Sequence, residues 1–98
     1  MGVYVDDAIW EWRGRAWCHL VADTDAELAA FAERLGLKPE WLQHRPARPW
    51  LDHYDLPDYG RERAIELGAA PVTRAEIVAV IRARRERMRA LPPTAPLD

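Results

Sequence analysis

Two segments, Thr24-Asp25-Ala26-Glu27 and Thr73-Arg74-Ala75-Glu76, carry the same helix-starting signature, and each closely follows a short apolar run. In such a capping box the threonine side chain accepts from the third helical amide while the glutamate reaches back to the threonine's own N–H. The runs ahead of the two boxes, residues 16–22 and 69–72, are apolar and β-prone, so the chain passes from strand to helix twice. This order predicts a small α/β layer fold, with two or three short strands packed against three main helices.

The remaining elements follow from spacing. Val3-Tyr4-Val5 reads as a first strand ended by Asp6 and Asp7. Residues 6–15 are expected as a loop. A parallel crossover needs about a dozen residues or more, so antiparallel pairing of 3–5 with 16–22 is favoured. Within 16–22, Trp17, His19 and Val21 share one face and Cys18 and Leu20 the other. The first helix carries Leu28, Phe31, Ala32 and Leu35 at helical spacing and stops at Gly36. Pro39 opens a short helical turn through Trp41 and Leu42, and 43–52, with two prolines, reads as loop. Pro57 is expected in the first turn of a second helix that ends at Gly68, weakened by Gly60 by roughly 1 kcal/mol relative to alanine. The third helix, with Ile77, Val78, Ile81 and Met88 on one side, runs to about Leu91, where Pro92-Pro93 stops it. One α/β domain over 1–91 and a flexible tail over 92–98 are therefore expected.

Composition narrows the class of protein. A chain of 98 residues, 49% hydrophobic and 31% charged, can bury one modest core and is not of disordered composition. It has no apolar run long enough to span a bilayer. Its first residues lack the basic start and apolar stretch of a signal peptide. A cytoplasmic location without membrane partners is the expectation. The single cysteine, Cys18, cannot form an internal disulfide and reads as a small buried hydrophobe. Residues 1–60 carry a net charge of −5 and 61–98 one of +3, a hint of an anion-facing C-terminal half.

Chemistry gathers in Pro49-Trp50-Leu51-Asp52-His53-Tyr54-Asp55-Leu56 and at the ends of the first two strands, Asp6-Asp7 and Asp23. In α/β layers, ligands usually sit beyond the carboxyl ends of strands and near helix N-termini. Neighbouring carboxylates repel, and neither Asp6 nor Asp7 is needed to end a strand, so the pair points to a ligand. If 53–55 is extended, His53 and Asp55 share one face with α-carbons about 6.6 Å apart. Antiparallel strands put Asp6 and Asp23 at opposite ends, and His19 stands about 13 Å from Asp23 along its strand. Structural roles compete throughout. Asp23 and Asp55 are placed to cap helices, and His19 and Tyr54 to sit in a core. The zinc spacings HExxH and CxxC are absent, as are phosphate-loop, GxSxG and GxGxxG motifs.

The series Tyr4-Val5-Asp6-Asp7, Trp17-Cys18-His19-Leu20-Val21-Ala22-Asp23, Leu28 to Gly36, Trp41, His53-Tyr54-Asp55-Leu56 and Arg63 resembles the bacterial and phage family known as domain of unknown function 4031, over roughly residues 3 to 76. The resemblance implies the extent of the domain and the residues to examine. The chemistry has to come from the residues themselves.

Two functional readings follow. In the first, an Asp and His pocket binds a divalent metal, magnesium or manganese, or a phosphate-bearing small molecule, with phosphoester hydrolysis as its reaction. Asp6 and Asp7 are then metal ligands, His53 and Asp55 the base and its orienter, and His19, Asp23, Tyr54 and Arg63 bind the ligand, Arg63 as a phosphate clamp. In the second, a noncatalytic module binds nucleic acid or protein through Trp10, Trp12 and Trp50 and the arginine run Arg82, Arg84, Arg85, Arg87 and Arg89. Such a run also suits a solvated helix end.

Overall fold

Residues 15–22 have neighbours on both edges, and that makes them the centre of the sheet. The computed structural model describes residues 2–90, and the strands and helices named below are those of these residues. The strands are β1 (Val3–Val5), β2 (Trp10–Trp12), β3 (Arg15–Ala22), β4 (Tyr54–Pro57) and β5 (Ala70–Pro71). The helices are α1 (Asp25–Leu35), α2 (Asp58–Glu66) and α3 (Arg74–Ala90). Single 3-10 turns cover Pro39–Trp41 and Pro49–Leu51. The α/β expectation holds, but two or three strands was an undercount: the described residues form a five-stranded mixed sheet. The end of α3 expected at Leu91 and the tail over 92–98 lie outside the described residues.

β1 and β2 lie along the same edge of β3, both antiparallel to it, and β4 lies antiparallel along the other edge. β5 runs parallel to β1. The expected loop over 6–15 is instead a bulge followed by a hairpin. Asp6 N–H donates to the His19 carbonyl at 3.4 Å and Ile9 N–H to the Trp17 carbonyl at 3.1 Å, so residues 6–9 oppose only 17–19 and the chain bows outward. β2 then turns into β3 through Arg13 and Gly14, both left-handed at φ 52° and 75°. That two-residue turn matches the twist of a hairpin, but Arg-Gly is a far weaker signal for it than Asn-Gly.

One face of the sheet builds the core. Val5, Cys18, Leu20, Ala22, Tyr54 and Leu56 pack against Leu28, Phe31 and Ala32 of α1 and Ala64 of α2. Each large aliphatic side chain buried there contributes about 1.5–3 kcal/mol. α1 begins as expected, with Glu27 N–H donating to Thr24 Oγ1 at 3.1 Å, and ends on left-handed Gly36. At α3 the box is fully reciprocal: Thr73 N–H donates to Glu76 Oε1 and Glu76 N–H to Thr73 Oγ1. Pro57 is the residue before α2, not its first turn, so strand passes into helix with no loop. Gly60 is there because the first turn of α2 presses on β4; a Cβ would lie 3.3 Å from Pro57 Cδ.

The other face carries Trp17, His19 and Val21 of β3 and is met by α3, whose Ile77, Val78 and Ile81 look across a cavity toward His19 and Val21. The arginine run of α3 is not a uniformly solvated face. Arg84, only 2% exposed, donates to the Ala22 carbonyl at 2.9 Å and pairs with Asp25, tying α3 to the end of β3 and the start of α1. Arg87 donates to the Asp23 carbonyl, and Arg85 lies over the Trp50 ring.

Candidate metal centre

Register decides which polar residues meet. His19 of β3 stands directly opposite Asp55 of β4, and alternation along the extended chain puts His53 on the same side as Asp55. A bridge between Gln43 and His53 continues the pairing beyond β4. The rings of His19 and His53 lie 5.3 Å apart between centroids. One donor atom from each of His19, His53 and Asp55 falls within 4.8 Å of the other two.

Both imidazoles are held through Nδ1. At the bulge, Asp6 turns its carboxylate into the sheet: Oδ1 accepts the His19 backbone N–H at 2.7 Å and Oδ2 lies 2.8 Å from His19 Nδ1. The Asp6 carbonyl, displaced from the ladder, accepts from Arg61 Nε at 2.7 Å. Asp6 is 2% exposed, and both of its buried side-chain oxygens are engaged by His19. A carboxylate can only accept, so His19 donates from Nδ1, and Nε2 is the ring nitrogen that remains to face a ligand. That is how a second carboxylate orients a metal-ligating histidine. Trp10 packs on the same ring at 4.6 Å between centroids.

His53 shows the electrostatic consequence. Its Nδ1 donates to the Leu51 carbonyl at 2.8 Å, and its Nε2 lies 3.2 Å from Asp55 Oδ1. A ring protonated only on Nδ1 would aim a lone pair at a carboxylate, so this contact calls for a cation, either a proton on Nε2 or a metal ion. Burial disfavours the charged ring, but the Asp55 hydrogen bond, the Leu51 carbonyl and the charges of Asp55 and Asp52 outweigh it. His53 is held above the ordinary value of 6.5.

His19 and His53 line a cavity of about 360 Å³ that His44 lines too, and His44 Nδ1 lies 2.8 Å from Oδ1 of buried Asp52. Arg45 and Arg74 also line it. The cavity thus combines imidazoles with two guanidinium groups, donors suited to an anion beside a cation.

The residues expected from the sequence divide. His53, Asp55, His19 and Asp6 come together, with Asp6 bound to His19. Asp7 does not join Asp6: its carboxylate is exposed, 3.7 Å from Arg61 Nη2, because the bulge turns the two neighbours apart. The expected repulsion between them is therefore relieved by divergence, and they do not converge on one ion. Asp23 lies at the far end of β3, where it accepts from the Gly2 N–H at 2.7 Å and the Tyr4 hydroxyl at 2.9 Å; Thr24 does the capping. Tyr54 points to the core face. Arg63 is exposed, near Glu66, and lines a different cavity. Asp55 pairs in β4 and caps no helix; α2 begins without a side-chain cap. Sequence reasoning missed His44 with Asp52, and Arg45, Arg61 and Arg74, none of which stands in a spacing that signals a site; Trp10, expected as a nucleic-acid or protein contact, packs on His19 instead.

A family model described as "Protein of unknown function (DUF4031)" matches residues 3–84, a span that contains every residue of this centre and ends at buried Arg84. No curated protein and no solved structure matches the chain.

Proposed function

The chain belongs to the DUF4031 family, and we propose that its His19, His53 and Asp55 bind a divalent transition metal that in turn holds a phosphate-bearing ligand. The observation that carries this reading is the convergence of three donors within 4.8 Å, with both rings already fixed through Nδ1. Two imidazoles and one carboxylate suit manganese, zinc or iron better than magnesium, which prefers a shell of oxygens. Three protein ligands leave coordination positions open, as in catalytic rather than structural sites. Arg45 and Arg74 would pair with the phosphate oxygens. For phosphoester hydrolysis, a bound ion supplies Lewis acidity and an acidified water. His44, oriented by Asp52, is then the group placed to accept a proton.

Manganese or zinc should raise the melting temperature of the full chain, since a ligand at a hundredfold excess over its Kd stabilises by about 2.7 kcal/mol. Magnesium should do less. Asp55→Asn and His19→Gln should each abolish the response. If neither manganese nor zinc shifts the parent, the reading fails.

The reading as an accessory module that binds through a basic helix is weaker. Arg84, Arg85 and Arg87 of that helix are engaged with this chain's own carbonyls, Asp25 and Trp50.

A further inference from the structure

A second cleft opens beside the first, along β4 from Asp55 to Pro57, with a volume of about 640 Å³. Its walls hold Trp12, Trp17, Trp41 and Tyr59. Three of these are among the most exposed large hydrophobic side chains of the described residues: Trp12 at 51%, Trp41 at 50% and Tyr59 at 62%. Core packing does not account for exposed aromatics gathered round one opening, and such patches usually mark binding sites.

Cations stand over three of these rings, while the carboxylates Glu40 and Asp55 line the cleft itself. Arg13 lies 4.6 Å from the Trp12 ring centroid, Arg15 4.8 Å from that of Tyr59 and Lys38 5.5 Å from that of Trp41. A ring has two faces, and a cation over one leaves the other for a flat, neutral heterocycle. The cleft also borders the metal centre. Asp55 belongs to both, and Gln43 lines both cavities. Trp17, which lines the cleft, and His19, which belongs to the metal centre, are two residues apart on one face of β3, about 6.6 Å along the strand.

We infer that the aromatic cleft is a nucleobase site and that the ligand of this protein is a nucleotide, its base stacked among Trp12, Trp41 and Tyr59 and its phosphate at the metal centre. The phosphate end rests on the function proposed above; the base end stands on the cleft alone. Gln43, Glu40 and Asp55 provide the polar edges a base would meet. A free nucleotide and a unit of a single strand present the same chemistry.

The test compares adenosine, ribose 5-phosphate, 5′-AMP and a short single-stranded oligoadenylate, by titration calorimetry with manganese present. The variants are Trp41→Ala and Tyr59→Ala, whose exposed side chains can be removed without disturbing the core, and His53→Gln. 5′-AMP should bind about tenfold more tightly than ribose 5-phosphate, the size of one base–aromatic stack. Trp41→Ala and Tyr59→Ala should erase that advantage, and His53→Gln should weaken both phosphates alike. Equal affinities for the two phosphates, or an advantage that survives both aromatic variants, overturns the base site and leaves the metal reading intact. Adenosine binding that is lost in Trp41→Ala, together with no response to manganese or ribose 5-phosphate, sustains the base site and overturns the metal reading. Oligoadenylate bound more tightly than 5′-AMP identifies the source as single-stranded nucleic acid, and equal binding identifies free nucleotide; both sustain the inference.

Discussion

Asp6 holds His19 at two points, accepting its backbone N–H at 2.7 Å through Oδ1 and meeting its Nδ1 at 2.8 Å through Oδ2. One side chain thereby sets both the path of β3 at the bulge and the tautomer of an imidazole. Asp6→Asn should keep the first bond and offer an N–H to the second. That moves the histidine proton to Nε2, the nitrogen that would face a metal. We expect manganese affinity to fall 10- to 100-fold, as for other partners that orient a metal-binding histidine. Stability should fall by about 1.5–3 kcal/mol, the range for hydrogen bonds to a charged group. Asp7→Asn should stay within about 0.5 kcal/mol of the parent. Urea melts and metal titration of the two variants check this, and equal behaviour would remove the distinction between the neighbours.

His53 makes the stability of the ion-free protein depend on pH with a definite sign. Its folded pKa is raised above 6.5, because the Asp55 hydrogen bond, the Leu51 carbonyl and nearby carboxylate charge outweigh the cost of burial. The contribution is therefore fully present below the unfolded value and is lost as pH rises through the folded one. Asp55→Asn should flatten that loss in urea melts between about pH 5.5 and 8.5. Stabilisation by manganese should run the other way, growing with pH as the ion ceases to compete with a proton.

Arg84 is a structural arginine inside a basic run. Its guanidinium reaches the Ala22 carbonyl, Asp25 and, at 3.5 Å, the Pro49 carbonyl, so one side chain joins α3, β3, α1 and the 3-10 turn before the metal centre. Arg84→Ala should cost about 2–4 kcal/mol, from buried carbonyls left unpaired and a cavity where the stem lay. Arg82→Ala, on an exposed position of the same helix, should cost under about 0.5 kcal/mol. Denaturant midpoints at unchanged m-value check the pair.

Cys18 should be silent in the native protein. Burial, reinforced by the charge of Asp6, pushes its thiol up to about 12, so almost no thiolate exists near neutral pH. Alkylation at pH 8 should proceed only through opening, at a rate that follows the stability of each variant described above. Fast labelling of the folded protein would contradict the packing of β3 against α1.

What the sequence by itself determined were the features set by near neighbours. Thr24 with Glu27 and Thr73 with Glu76 start helices because a cap acts over three residues. Gly36 ends α1 by tolerating the left-handed backbone, and residues 17–21 alternate because a strand has a period of two. The tertiary structure decided what depends on partners far along the chain. β2, β4 and β5 are two to four residues long and exist only beside β3 and β1, where their hydrogen bonds are completed. The bulge that separates Asp6 from Asp7 is visible only once residues 6–9 face 17–19. His19 and His53 meet through the register of β3 on β4, and a slip of one residue would turn either of them to the core. Arg84 reads like its neighbours in the run until α3 is laid on the sheet. Only then do the Ala22 carbonyl and Asp25 stand where a guanidinium can be buried.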